Sequence, residues 1–243
     1  MLKRWSFIFG LLVILYHQTS FSQEIKLQKG QKIYHLGKSL EILEDPSGNL
    51  TINDIIKKKW TKKFKKSDSK VPNFGFSKSA YWAKFFIKEK SQLNKKWILS
   101  FNFYLQDELS FFKYENGEWK EFKTGDVFPF SERQIKSRPF AFNIEPDVQN
   151  PYFIRIKGSP SRLDLTLLES QYFSEKESEN NYIYGLFFGL VIAMVAYNGF
   201  IFISIKSLSY FYYTLYVLSY GFLLSTYAGF SQVFIYDKLT WFN

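Results

Sequence analysis

Residues 182–205 read YIYGLFFGLVIAMVAYNGFIFISI, 24 positions without a charge. Wound as an α-helix, such a segment is about 36 Å long, and a bilayer's hydrocarbon core is about 30 Å thick. One Asp or Lys at mid-depth costs roughly 2.5–3.5 kcal/mol on insertion scales. A charge-free run of this length therefore predicts a membrane-spanning helix. Lys206 ends it, and a second charge-free run, richer in Tyr and Ser, covers 210–236. The short gap from Lys206 to Ser209 suits a tight turn. The expectation is two antiparallel transmembrane helices, 182–205 and 210–236, with a short tail at 237–243 that returns to the outer side. The competing arrangement is a long pair of buried helices in a soluble protein.

The N-terminus sets the orientation. Lys3 and Arg4 precede an apolar run from Trp5 to Tyr16, and Ser20-Phe21-Ser22 follows as a small-x-small site. This is the layout of a secretory signal peptide, and it places residues 1–22 outside the mature chain. Residues 23–180 are then carried across the membrane, and the turn at Lys206 stays inside, in keeping with the positive-inside rule. The polar stretch 173–181 lacks Gly and Pro and reads as a helical linker that couples the preceding domain stiffly to the first span. In the first span Gly185, Gly189 and Ala193 recur every four residues. Such a small-residue face lets another helix approach closely. Asn198 is the strongly polar side chain there, and its amide calls for a neighbouring helix.

Residues 23–172 read as a mainly β extracytoplasmic domain, a jelly-roll-like β-sandwich. Strands are expected at 80–89, 97–103, 140–144, 152–158 and 163–170, with possible edge strands at KIYH and SLEIL. Residues 108–123 read as a hairpin, because Asn116-Gly117 supplies the positive φ angles of a two-residue turn. Thr51 and Asp54 form a capping box for a helix that runs through Ile52, Ile55 and Ile56 into a basic stretch. No cysteine is present, so no disulfide staples the domain.

That basic stretch is KKKWTKKFKK, with Lys57, Lys58, Lys59, Lys62, Lys63, Lys65 and Lys66. Residues 23–180 hold 28 Lys plus Arg and 21 Asp plus Glu, so these seven lysines account for the whole net charge of the domain. Outside the cytoplasm no nucleic acid partner is expected. The open readings are a solvated helix end, a contact with anionic lipid head groups or polysaccharide, and a protein partner. Trp60 and Phe64, four residues apart, are expected to pack down on the domain. His35 is the one histidine after residue 22 and reads as a strand-end residue, so a His-based metal cage or triad lacks its parts. Asp107-Glu108 and Glu115-Glu118 are acid pairs without an evident cleft. No phosphate loop, nucleophile elbow or zinc spacing occurs. No enzyme, metal or cofactor is expected.

The stretches LEDPSGNLTINDI, NFGFSKSAYWAKF, TGDVFPFSERQIKSRPFAF and YGLFFGLVIAMVAYNGFIFISIKSLSYFYYTLY follow one another along the chain. In this order they resemble bacterial seven-transmembrane receptors with diverse intracellular signalling modules. The first three are similar to the type 2 extracellular domain of that family, and the last to the start of its seven-helix membrane domain. The resemblance implies a jelly-roll-like domain, similar to carbohydrate-binding modules, that senses a small molecule or glycan and passes the signal through helices to a cytoplasmic output. It implies the bacterial cytoplasmic membrane as the location. Tyr81, Trp82, Arg133 and Arg138 fall in the matching stretches and are the candidate ligand-binding residues, with core aromatics and turn arginines as the plainer reading. The sequence departs from the family pattern by stopping at Asn243 after two spans. The expectation is a fragment, a truncated product, or a chain that works through other membrane helices or a separate signalling protein. The alternative is a binding or adhesion module held by a helical hairpin, without signalling.

Overall fold

A computed structural model describes residues 24–89, 95–147, 149–158 and 161–234. The expected signal peptide, 1–22, and the tail at 237–243 lie outside the described residues. The chain opens with β1 (Ile25–Leu27), β2 (Ile33–His35) and β3 (Glu41–Asp45), then two single-turn helices, α1 (Ile52–Ile55) and α2 (Lys58–Thr61). Next come β4 (Lys65–Lys66), β5 (Asn73–Gly75), β6 (Ala80–Phe85), β7 (Ile87–Glu89), β8 (Trp97–Phe101), β9 (Glu108–Glu115) and β10 (Glu118–Thr124). β11 (Phe140–Ile144), β12 (Tyr152–Lys157), β13 (Ser161–Arg162) and β14 (Leu165–Glu169) complete the sheets. Three helices close the described chain: α3 (Ser170–Ile205), α4 (Leu208–Tyr227) and α5 (Phe230–Phe234).

Six strands form one sheet in the order β10-β9-β12-β6-β3-β4, and four form another in the order β11-β8-β14-β2. The pairings within both are antiparallel. Period-2 alternation sends Tyr81, Ala83 and Phe85 of β6, Leu109 and Phe111 of β9, and Ile154 and Ile156 of β12 into a core shared with Leu99, Phe142 and Leu167 of the second sheet. Phe111 meets Phe142 across the two sheets at 5.0 Å between ring centroids. The intervening residues Trp82, Phe112 and Phe153 point to the outer face of the larger sheet, where Ile55, Trp60, Phe64 and Trp119 cover them. That cover makes β6 apolar on both faces.

The Asn116-Gly117 turn joins β9 to β10 with φ of 54° and 87°. The capping box at Thr51 forms, with Thr51 N–H donating to Asp54 Oδ2 at 3.2 Å. Three local expectations are corrected. Residues 80–89 are two strands, because the register of β6 with β12 ends at Phe85 opposite Tyr152. β7 then changes partner and runs parallel to β1. The helix from Ile52 does not continue through the lysines. Lys57 is extended, at φ −67° and ψ 142°, and separates α1 from α2. Lys65 and Lys66 form an edge strand opposite Ile42 and Glu41. This path seats Trp60 and Phe64 on the sheet, with Phe64 and Phe153 rings 6.1 Å apart, and it leaves charged residues on the open edge, which discourages pairing with another chain. SLEIL is likewise not an edge: β3 lies between β6 and β4.

Ser170 to Ile205 is one unbroken helix of 36 residues, about 54 Å long, so the helical lead and the apolar run form a single rod. Among the described residues it alone is long and apolar enough to cross a membrane by length and composition. Tyr172 and Phe173 in its first turn pack against Ile98, Ala141 and Leu168 on the outer face of the smaller sheet. Lys206 ends the rod in the left-handed conformation, φ 55°. α4 returns antiparallel to α3, with Phe211 against Phe202 at 5.2 Å and Phe230, past its end, against Tyr184 at 5.2 Å.

Candidate functional site

The loop between β10 and β11 begins at Gly125. A Cβ there would stand 1.9 Å from the backbone oxygen of Asp107, and φ is 147°, so glycine is required. A 3-10 turn at Phe130–Glu132 follows, and then Arg133 and Arg138, each 5% exposed. Arg133 Nη1 donates to the carbonyls of Ser137 and Arg138, both at 3.0 Å, and so folds the loop on itself. Its Nη2 donates to Gln232 Oε1 of α5 at 2.7 Å. Gln232 Nε2 in turn donates to the carbonyl of Tyr104, in the loop between β8 and β9, at 2.8 Å. The Arg133 guanidinium lies 4.3 Å from the centroid of the Phe140 ring.

Arg138 reaches the helices directly. Nη1 donates to the carbonyl of Ala228, the C-cap of α4, at 3.4 Å. A cation there meets the negative end of the helix dipole. Nη2 lies 4.0 Å from Glu177 Oε1 of α3. The rings of Tyr184, Phe230 and Tyr104 surround the guanidinium at 4.4, 4.8 and 5.5 Å. Gly229, at φ 78°, lets the turn after α4 close on Tyr104, because a Cβ there would lie 2.9 Å from that ring. Burying two guanidinium groups is costly unless each is hydrogen-bonded and faced by a counter-charge or aromatic rings. Arg138 meets that condition only while sheets and helices stay in register, whereas Arg133 keeps two carbonyls and the Phe140 ring within its own domain and depends on the helices for its bond to Gln232.

The electrostatics extend toward the sandwich. Asp126 sits one residue beyond Gly125, and burial together with the nearby charge of Asp107 pushes its carboxyl up to about 6, with Arg133 acting the other way. Burial raises the Tyr104 hydroxyl. A cleft of about 680 Å³ opens beside Arg138, walled by Phe130 and Ile135 from the loop, Phe173 and Glu177 from α3, and Phe230 and Val233 from α5. Its shape depends on how the domain sits on the helices.

The four residues picked out from sequence fall into separate places. Arg133 and Arg138 converge on this junction. Tyr81 and Trp82 stand back to back on β6. Tyr81 faces the shared core, stacked on Phe74 at 3.8 Å, with its hydroxyl donating toward Glu44 Oε1 at 3.3 Å. Trp82, fully buried, faces the outer side. The seven lysines Lys57, Lys58, Lys59, Lys62, Lys63, Lys65 and Lys66 are all exposed. Lys62, Lys63, Lys65 and Lys66 border an open groove of about 1000 Å³, and Lys63 Nζ lies 4.3 Å from the Trp60 ring centroid. Gly185, Gly189 and Ala193 are exposed in the described chain. α4 packs on a different face of α3, where a Cβ on Gly221 would lie 3.0 Å from Val191 Cγ1. Asn198 Nδ2 donates to the Met194 carbonyl one turn back, at 2.8 Å. Sequence reasoning missed Glu177, Gln232 and Tyr104, whose roles arise only from contacts distant along the chain. Among the described residues no group of three or more His, Asp or Glu is placed to hold a metal ion.

Two family models match the chain. The model described as 7TMR-DISM extracellular 2 covers residues 37–169, and the model described as 7TM diverse intracellular signalling covers residues 180–243. The interval between them holds the first turns of α3, including Glu177. No curated protein matches the chain.

Proposed function

Because this chain belongs to the 7TMR-DISM family of membrane sensory receptors, we propose that its β domain binds an extracytoplasmic ligand and that the Arg133–Arg138 loop passes the resulting shift to the membrane helices. The setting is a bacterial cytoplasmic membrane, with α3 and α4 as antiparallel spans. Further membrane helices or a separate signalling protein receive the signal.

The observation that supports this reading is that one loop of the β domain lends two buried arginines to the helices. Arg133 engages α5, and Arg138 engages the end of α4 and the side of α3. A displacement of the loop must move these partners or leave buried charges unpaired. Breaking such a pair typically costs about 3–5 kcal/mol, enough to favour one of two discrete arrangements over a continuous drift. α3, clamped to the smaller sheet by Phe173 and continuous to Ile205, then transmits a tilt or rotation as a rod. A ligand drives the change only to the extent that it binds the two arrangements differently, and a tenfold preference corresponds to about 1.4 kcal/mol.

Amide hydrogen exchange on the full chain in lipid nanodiscs tests the coupling. Arg138→Gln removes the guanidinium but keeps a polar side chain. Exchange in residues 174–184 and 228–232 is expected to accelerate about tenfold, the equivalent of 1.4 kcal/mol of local stability, while the strands of the shared core stay protected. Acceleration confined to residues 133–139 would sink the proposal.

A further inference from the structure

The cleft of about 680 Å³ beside Arg138 is of small-molecule size, and it straddles the membrane boundary. The charge-free run of α3 starts at Tyr182. Glu177 lies five residues before it, about 7.5 Å up the helix. Phe188 lies six residues after it, about 9 Å down. The polar zone on each side of a bilayer is about 5–7.5 Å thick. Glu177, with the β-domain wall that carries Lys136 and Arg138, is therefore at head-group depth. The floor at Gly185, Phe188 and Ser225 is at the depth of the first acyl carbons. A Cβ on Gly185 would meet nothing within 4 Å, so no protein atom crowds the floor there.

We infer that this cleft holds one phospholipid with a net negative head group, its phosphate on Lys136 at the rim beside Arg138 and one acyl chain over Gly185. The inference takes α3 and α4 as spans, as proposed above, and is independent of what the β domain binds. Three features carry it. The first is charge. The charged residues that line the cleft are Lys136, Arg138 and Glu177, so cations outnumber carboxylates. Exposed Lys136 is held in place by the carbonyls of Phe130, at 3.4 Å, and Ser131. An ammonium has three donors, and these two acceptors position it without neutralising its charge. The second is the change of polarity along the cleft. Ser174 and Glu177 line it above, and Phe188, Phe230 and Val233 line it below. Left unfilled at acyl depth, those apolar side chains forfeit their dispersion contacts on one side. The third is size. A helix with its side chains is about 10–12 Å across, so one 5.4 Å turn occupies about 500 Å³. The cleft has room for little more than one such turn, whereas a flexible acyl chain threads it.

Native mass spectrometry of the full chain released from micelles, titrated with phosphatidylglycerol and with phosphatidylcholine of the same acyl chains, measures the preference. Nanodiscs doped with phosphatidylglycerol that carries a photoactivatable acyl diazirine locate the bound chain. One phosphatidylglycerol is expected to stay bound, about fivefold more tightly than phosphatidylcholine, the effect of one lysine at a lipid surface. Adducts are expected in residues 185–192 and 225–233. Lys136→Gln is expected to erase the preference, and Gly185→Leu, which fills the floor without a clash, to remove the adducts from 225–233, both at an unchanged melting temperature. Equal affinity for the two lipids, or a preference that Lys136→Gln leaves intact, overturns the inference. Adducts spread evenly over α3 and α4 and unmoved by Gly185→Leu would show an ordinary annulus of lipid and overturn it too. Concentration-dependent dimers that Gly185→Leu dissolves would seat a second copy in the cleft instead. A failure of the spans themselves reads differently, as no adducts anywhere on α3 and α4. None of these outcomes alters the exchange result expected for Arg138→Gln, which tests the coupling independently.

Discussion

Arg133→Met keeps the length and apolar stem of the side chain and deletes the guanidinium. Three acceptors lose their donor: the carbonyls of Ser137 and Arg138 and Oε1 of Gln232. Hydrogen bonds from a charged donor contribute about 1.5–3 kcal/mol each. They do not add, because one group makes all of them. Relief from burying a charge returns part of the loss. The net expectation is a destabilisation of about 2–4 kcal/mol, the upper end applying if the three orphaned oxygens stay dry. For a chain of this size 1 kcal/mol lowers the melting temperature by about 2–4 °C, so a drop of roughly 4–16 °C follows. Near-ultraviolet circular dichroism of the full chain in micelles reads it, since Trp82 and Trp97 are fully buried in the β domain. A second signature separates a lost clamp from a generic packing defect. Arg133 holds the Asp126 carboxyl down, so its removal pushes that carboxyl further up, and the fall in stability with rising pH, which starts near the ordinary carboxylate value in both proteins, continues to a higher pH in the variant than in the parent. A loss below about 0.5 kcal/mol, the range of ordinary surface substitutions, would show that water replaces these bonds, and it would refute the description of Arg133 as a clamp.

Asp126→Asn tests the raised carboxyl itself. The folded-state value of about 6 lies above the ordinary 3.8, so the folded protein binds more protons than the unfolded chain between these values, and stability from this group falls as pH rises toward 6. Discounted for partial exposure, the variant should gain about 1 kcal/mol at pH 8 and nothing at pH 3.5; parallel melting profiles for parent and variant would contradict this. Phe64→Ala uncovers Phe153 and the outer face of the larger sheet, and a half-buried aromatic there should cost about 1.5–3 kcal/mol in denaturant unfolding. Alkaline phosphatase fused after residue 170 should be active, and fused after residue 206 inactive; the reverse pattern would invert the topology.

Local features of the fold were legible in the sequence where local chemistry decides them. The Asn116-Gly117 turn is one, because both residues must adopt positive φ. β11 is another, a short apolar strand bounded by Pro139 and by Glu145-Pro146. The capping box at Thr51 and Asp54 is a third. Reading failed where a distant partner decides. Phe86 breaks a run of strand-forming residues because β7 finds β1. Lys57 breaks a helix of good helix formers because Trp60 and Phe64 must both reach the sheet. The arginines were visible as residues of interest, but their partners lie 90 and 99 positions away, beyond any local pattern. The stripe of Gly185, Gly189 and Ala193 was plain, yet nothing local told which face of α3 would meet α4.

The central claim is that sheets and helices are energetically coupled through the arginine loop, and a double-mutant cycle between Arg133→Met and Gln232→Leu measures that coupling directly. The two residues sit on opposite sides of the junction and meet at 2.7 Å. Unfolding free energies of parent, both single variants and the double variant give the interaction energy without assigning the other contacts. A coupling of about 1–3 kcal/mol is predicted, the range for residues that share a hydrogen-bond network. Additivity within about 0.3–0.5 kcal/mol, as found for independent sites, would mean that the loop and α5 touch without constraining each other, and the account of signal transfer would fail.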